Sequence, residues 1–135
     1  MNPVAVMLLL VALLSSACGA ATEHSTEVAQ VRSGSLDILL LAGQAALGTG
    51  KDTSTLEFRS TSDRSLVDVG TVKATATMSM AGMAPMSGGA SVERTDTPGR
   101  YLVTSDLGMT GQWRLAVEWN GPTGSGSANF SPMVQ

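Results

Sequence analysis

The chain has 135 residues and a net charge of −3, and 43% of its residues are hydrophobic. Eight methionines stand against one cysteine and one histidine. A single cysteine excludes an internal disulfide, and the scattered basic residues argue against nucleic-acid binding. Beyond the N-terminal segment about 100 residues remain, which suits one domain of ordinary size.

The N-terminus predicts export. Residues 1–22 carry no charged side chain, and residues 4–14 form an unbroken apolar run. This run is too short to span a bilayer, and small residues follow it. We therefore predict a helical signal peptide over residues 1–17.

The small residues directly before Cys18 are typical of a bacterial lipoprotein signal, in which this cysteine is acylated and anchors the protein to a membrane. Ser15 stands where such signals usually have leucine, and no Lys or Arg precedes the apolar run. The alternatives are an ordinary secretory cleavage near Ala20 or Ala21, or a buried free thiol. The predicted location is the periplasmic or extracytoplasmic face of a membrane.

Residues 18–35 are rich in Ala, Thr, Ser, Glu and Gln and have no apolar period, which predicts a flexible tether. His24 lies in this segment. We interpret it as a solvated tether residue, with a role as an extra metal ligand as the alternative.

From residue 36 to 135 the pattern is all-β, because short alternating segments are separated by Gly, Pro, Asn, Asp and Ser. Seven strands are predicted: 36–41, 53–60, 72–80, 91–94, 100–105, 113–119 and 124–131. This number fits a single immunoglobulin-like β-sandwich, with a small barrel as the alternative. Trp113 and Trp119 are interpreted as core residues rather than ligand-stacking ones.

Strand direction brings distant loops together. Because successive strands run antiparallel, the loops at 42–52, 81–90 and 106–111 should emerge at the same end of the domain. Two of these loops carry Met83, Met86 and Met109, and Met80 directly precedes the first of them. We therefore expect Met109 to approach Met80, Met83 and Met86.

Thioether sulfur is a soft ligand that suits Cu(I), and by the same reasoning Ag(I), better than harder ions. The predicted ligands are Met78, Met80, Met83, Met86 and Met109. Glycines 82, 88 and 89 would let the loop wrap around an ion. Core packing is the alternative for Met78 and Met80, because they continue the apolar stripe of strand 72–80. Met83, Met86 and Met109 lie in Gly-, Ala- and Pro-rich segments, where packing explains them least.

Three motifs carry a family resemblance: the methionine segment 78–86, Pro98-Gly-Arg-Tyr101, and Leu107-Gly-Met-Thr-Gly-Gln-Trp113. Together they closely resemble the YtkA-like domain, with similar segments in FixH-like proteins and in domains associated with heavy-metal efflux adaptors. The resemblance covers about residues 36–131. It implies an immunoglobulin-like sandwich in exported or membrane-anchored bacterial proteins, often encoded with copper or cytochrome-oxidase functions. Ala81 stands where the family often has proline.

The sequence therefore predicts a lipid-anchored, non-enzymatic Cu(I)-binding protein that acts in copper buffering, delivery or efflux. A copper efflux adaptor or an oxidase-assembly protein is the expected partner. The alternative is a structural or interaction module that uses the methionine-rich loop as a contact surface. Catalysis has little support, because the one histidine lies in the predicted tether and the predicted lipidation would consume Cys18.

Overall fold

The computed structural model describes residues 26–135. This part of the chain forms ten β-strands: β1 (Thr26–Ser33), β2 (Leu36–Ala42), β3 (Gly50–Ser60), β4 (Thr71–Met78), β5 (Met86–Arg94), β6 (Arg100–Leu107), β7 (Gly111–Gln112), β8 (Arg114–Gly121), β9 (Gly124–Phe130) and β10 (Met133–Val134). Within residues 26–135 no helix is long and apolar enough to cross a membrane.

Two antiparallel layers enclose the core. One layer has the order β1-β2-β3-β6-β5 and the other has the order β4-β8-β9, while β10 and β7 form a separate two-stranded ribbon. Strand β5 joins the layers, since its first residues pair with β4 and the rest pair with β6. The edge strands β1 and β9 lie next to each other without pairing. The all-β sandwich prediction is confirmed.

The core consists of alternating side chains from both layers. Phe58 packs edge-on against Tyr101 and Trp119, with ring centroids 5.4 and 5.3 Å apart. Trp113 and Trp119 are both buried, as predicted. Each large apolar side chain buried in this way contributes about 1.5–3 kcal/mol relative to an exposed one.

The domain begins earlier than predicted. Strand β1 occupies residues 26–33 of the predicted tether and pairs along its length with β2. Its pattern is weak because it is an edge strand whose few apolar residues, Val28, Ala29 and Val31, are only half-buried. The predicted signal peptide and tether residues 18–25, which include Cys18 and His24, lie outside the described residues.

Strand β5 also begins earlier than predicted, at Met86, so the loop between β4 and β5 is shorter than residues 81–90. Gly88 and Gly89 are therefore strand residues rather than loop hinges. A Cβ at Gly88 would lie 2.6 Å from Leu107 Cδ2 and 3.0 Å from Trp113 Cζ3. Glycine is needed there for close packing. Of the three glycines predicted to free the loop, only Gly82 has a positive φ, 70°.

Candidate metal site at the methionine end

The strand pairing brings four segments to one end of the sandwich. Gly50 of β3 lies opposite Leu107 of β6, and Gly89 of β5 lies opposite Asp106. Val134 of β10 lies opposite Gly111. We call this the methionine end, formed by residues 43–49, 79–85, 108–112 and 132–134. The predicted meeting of the three loops is confirmed.

Met78 and Met86 form a cross-strand pair at the rim of the core. They lie opposite each other where β4 and β5 pair, and both side chains are half-buried against the hydrophobic core. The Met78 methyl group packs against the β7–β10 ribbon at Gly111, because a Cβ built on Gly111 would lie only 2.5 Å from Met78 Cε. Packing therefore accounts for Met86, although its glycine-rich sequence context indicates a loop.

Met80 and Met83 lie in the turn between β4 and β5. The backbone N–H of Met83 donates to the carbonyl of Met80 at 3.3 Å, and Gly82 adopts the left-handed conformation that closes the turn. Met80 is half-buried, whereas the Met83 side chain is 69% exposed. The turn thus presents the Met83 thioether to solvent.

Met109 is presented in a different way, because Trp113 holds its backbone. The buried indole donates from Nε1 to the carbonyl oxygen of Met109 at 3.0 Å, while the Met109 side chain is 41% exposed. The carbonyl is thus anchored to the core and the thioether remains accessible. Met109 shares one end of the domain with the β4–β5 turn although more than twenty residues separate them in the sequence.

The prediction from sequence missed a sixth methionine at this end. Met133 on β10 is 49% exposed, and its carbonyl accepts the Leu47 N–H at 2.9 Å. The segment Ser131-Pro-Met-Val has no motif or period that marks it as a site. Only the pairing of β10 with β7 places it beside the predicted ligands.

The donors at this end fit a soft ion better than a hard one. Within residues 26–135, no three His, Cys, Asp or Glu side chains are grouped so that they could hold a metal. The carboxylate of Asp52 already accepts the N–H groups of Gly48 and Thr53, at 2.7 and 2.9 Å. A nearby cavity of about 280 Å³ is lined by the β2–β3 loop, Asp52 and Gln135 and by none of the methionines. The exposed thioethers therefore stand on an open surface, where neutral sulfur suits Cu(I) or Ag(I).

At the opposite end of the sandwich, two buried carboxylates form ion pairs with arginine side chains. Asp37 is buried and accepts from Arg32 Nε and Arg64 Nη1, each at 2.7 Å. The hydrogen bond from Arg32 is the main cause that holds the pKa of Asp37 below its usual value. Glu57 is similarly enclosed by Arg59 and Arg100. These pairs satisfy the buried carboxylates. The segments 43–49, 79–85, 108–112 and 132–134 of the methionine end contain no charged side chain.

The Pro98-Gly-Arg-Tyr101 motif has a structural role. A Cβ at Gly99 would lie 2.8 Å from the backbone N and O of Val67, and its φ is 85°, so only glycine fits. The buried Tyr101 hydroxyl donates to the carbonyl of Gly70 at 2.9 Å. Burial is the main cause that raises the pKa of Tyr101. This motif fixes the fold and lies far from the methionines.

A family model described as YtkA-like matches residues 40–118, which is more than half of the chain. The chain belongs to the YtkA-like family. The resemblance drawn from the three motifs is thus confirmed. In this YtkA-like domain, Gly99 and Tyr101 hold the sandwich together, and Trp113 connects the core to the Met109 segment.

No functionally curated protein is significantly similar to the chain. Among solved structures, it is similar to the methionine-rich copper resistance protein PcoC of Escherichia coli, with 20% identity, a TM-score of 0.48, and coverage of 69% of this chain and 91% of PcoC. The selenomethionine form of PcoC gives 19% identity, a TM-score of 0.49, and 69% and 93% coverage. The ZirS C-terminal domain gives 12% identity, a TM-score of 0.47, and 100% and 96% coverage. Similarity at this level carries no functional information about this chain.

Proposed function

We propose that this protein is an exported, lipid-anchored Cu(I)-binding protein that buffers the ion or passes it to a membrane partner. One observation carries the proposal. The exposed large hydrophobic side chains of residues 26–135 are Met83, Met109 and Met133, and all three lie at the methionine end. Packing does not account for exposed thioethers, whereas binding of a soft ion does.

The predicted ligands divide into two groups. Met83 and Met109 offer accessible sulfur, and Met80 adjoins Met83 in the same turn. Met78 and Met86 pack mainly against the edge of the hydrophobic core. We propose that the exposed thioethers of Met83 and Met109 make the first contacts with copper. Such ligands bind weakly at an open surface, so they also release the ion readily.

A competition titration with a Cu(I) chelator tests this function. The full chain should bind Cu(I), and a variant in which Met83, Met86 and Met109 are replaced by leucine should bind it much more weakly. His24→Ala is the matched control, since it removes an imidazole and leaves every thioether, and we expect it to bind as tightly as the parent chain. Equal affinity in the parent and the triple variant would refute the thioether site.

The same variants distinguish the rival function of a protein contact surface. Leucine conserves the volume and apolar character of methionine, so it should preserve a packing interface at a cost below about 1.5 kcal/mol. Retained partner binding together with unchanged copper affinity would favour the interaction module. Loss of copper affinity in a folded variant would favour metal handling.

The place where the chain enters the domain supports a membrane-proximal role. Thr26, the first residue of β1, lies opposite Ala42, so the N-terminal segment joins the sandwich at the methionine end. Residues 18–25 can span at most roughly 30 Å when fully extended. Acylation of Cys18 would therefore hold the thioethers close to the bilayer. A copper efflux adaptor or an oxidase-assembly protein at the membrane is the partner that we propose.

The anchor has its own test. Cys18→Ser should move the protein from the membrane fraction to the soluble fraction, while Cu(I) affinity stays unchanged. Unaltered fractionation would refute lipidation without affecting the copper site.

A further inference from the structure

Met133 is an exposed thioether whose position in the fold gives it no packing role. Its side chain is 49% exposed on β10, whereas the next residue, Val134, is 1% exposed and supplies the buried contact of that strand. Successive strand residues point to opposite faces, so Met133 is directed away from the core. It lies opposite Gln112, which is also exposed.

Trp113 braces the two segments that carry Met133 and Met109. Its backbone N–H donates to the carbonyl of Pro132 at 3.0 Å, and its indole Nε1 donates to the carbonyl of Met109 at 3.0 Å. One buried residue thus fixes the backbone next to Met133 and the backbone of Met109. The unbranched methionine side chain has three rotatable bonds, which lets two sulfurs on neighbouring segments turn toward one ion.

The β2–β3 loop holds β10 from the other side. Leu47 donates to the carbonyl of Met133 at 2.9 Å and accepts from the N–H of Gln135 at 2.9 Å. Strand β10 therefore lies between this loop and β7. Its exposed thioether is displayed from a fixed backbone, which lowers the entropy lost when it binds an ion.

From this geometry we infer that Met133, on the outer face of the β7–β10 ribbon, is a further thioether ligand of the methionine end that acts with Met109. The inference rests on the proposed Cu(I) function and names a residue that lies outside the methionine motifs. Met78 lies on the other side of the ribbon, with its methyl group under Gly111. The ribbon thus separates the packed thioether of Met78 from the exposed thioether of Met133.

Affinity measurements on two variants test this inference. Met133→Leu should weaken Cu(I) binding by the full chain roughly tenfold, which corresponds to about 1.4 kcal/mol. Gln112→Leu is the matched control, because it alters the outer face of the same ribbon and removes no sulfur, and it should leave the affinity within about twofold. Thermal unfolding of each variant without metal checks that both fold like the parent chain.

A second measurement follows each sulfur directly. The full chain is labelled with ¹³C at the methionine methyl groups and titrated with Ag(I), a soft ion that does not change oxidation state under these conditions. The Met133 signal, assigned by its loss in Met133→Leu, should shift together with the Met109 signal. A Met133 signal that stays fixed while Met109 shifts would overturn the inference and leave the proposed function intact. If no methionine signal shifts, both fail.

Discussion

Alanine substitutions at Met86 and Met83 separate packing from metal binding within the predicted cluster. Met86 is half-buried against the core and lies opposite Met78, whereas Met83 is 69% exposed. Full burial of a methionine side chain is worth about 1.5–3 kcal/mol, so a half-buried one contributes roughly half of that. We expect Met86→Ala to lower the free energy of unfolding by about 0.75–1.5 kcal/mol and Met83→Ala to change it by less than about 0.5 kcal/mol.

Thermal unfolding of the metal-free full chain provides the assay. For a domain of this size, a loss of 1 kcal/mol lowers Tm by roughly 4–8 °C, so Met86→Ala should be clearly resolved from the parent. Met86→Leu is the control that removes the sulfur while conserving volume, and it should recover most of the lost stability. Equal destabilisation by Met86→Ala and Met83→Ala would refute the assignment of Met86 to the core rim.

Three further predictions concern packing, ion pairing and metal binding. Gly88→Ala should destabilise the domain by about 1–3 kcal/mol, because its Cβ would lie 2.6 Å from Leu107 Cδ2; Gly43→Ala, with nothing within 4 Å, is the control, and equal Tm values would contradict the packing argument. The pKa of Asp37 is lowered in the folded state, chiefly by Arg32, so its charged form stabilises the protein above pH 3.8 and this contribution is lost as pH falls through the lower folded value. Asp37→Asn should therefore lower Tm at neutral pH by an amount that shrinks in acid, and a constant difference at every pH would count against this account. Cu(I) affinity should change little between about pH 7.5 and 5.5, because a thioether has no proton to lose, and a steep loss over this range would indicate an imidazole ligand.

The seven predicted segments correspond to β2–β6, β8 and β9. Most of these strands alternate between a core face and an exposed face, which gives them a period of two, whereas β2 is buried on both faces and is marked by its continuous apolar run. Strand β1 was missed because an edge strand needs little apolar content. Strands β7 and β10 have two residues each and cannot show a period.

The sequence also predicts which loops meet at the candidate site. Antiparallel connectivity alone places Met109 at the same end as the β4–β5 turn, and the structure confirms it. Whether a given methionine packs or is exposed depends on contacts that no local pattern reports. Met86 belongs to β5 because Gly88 lets that strand approach Trp113. Met133 reaches the site through the pairing of β10 with β7 and its hydrogen bonds to the β2–β3 loop.

In the proposed Cu(I) site, stability and binding would depend on different residues of one end. Trp113 and the Met78–Met86 pair are held by the core, so the backbones of the turn and the ribbon would keep their positions when the exposed sulfurs exchange an ion. Because Met83, Met109 and Met133 are already 69%, 41% and 49% exposed, loss of an ion from them would expose little additional apolar surface. We therefore expect the proposed site to release its ion without loosening the fold, and the metal-free and Ag(I)-loaded chains to show the same backbone amide spectrum except at residues 79–85, 108–112 and 132–134. Widespread changes across the sandwich would contradict this division.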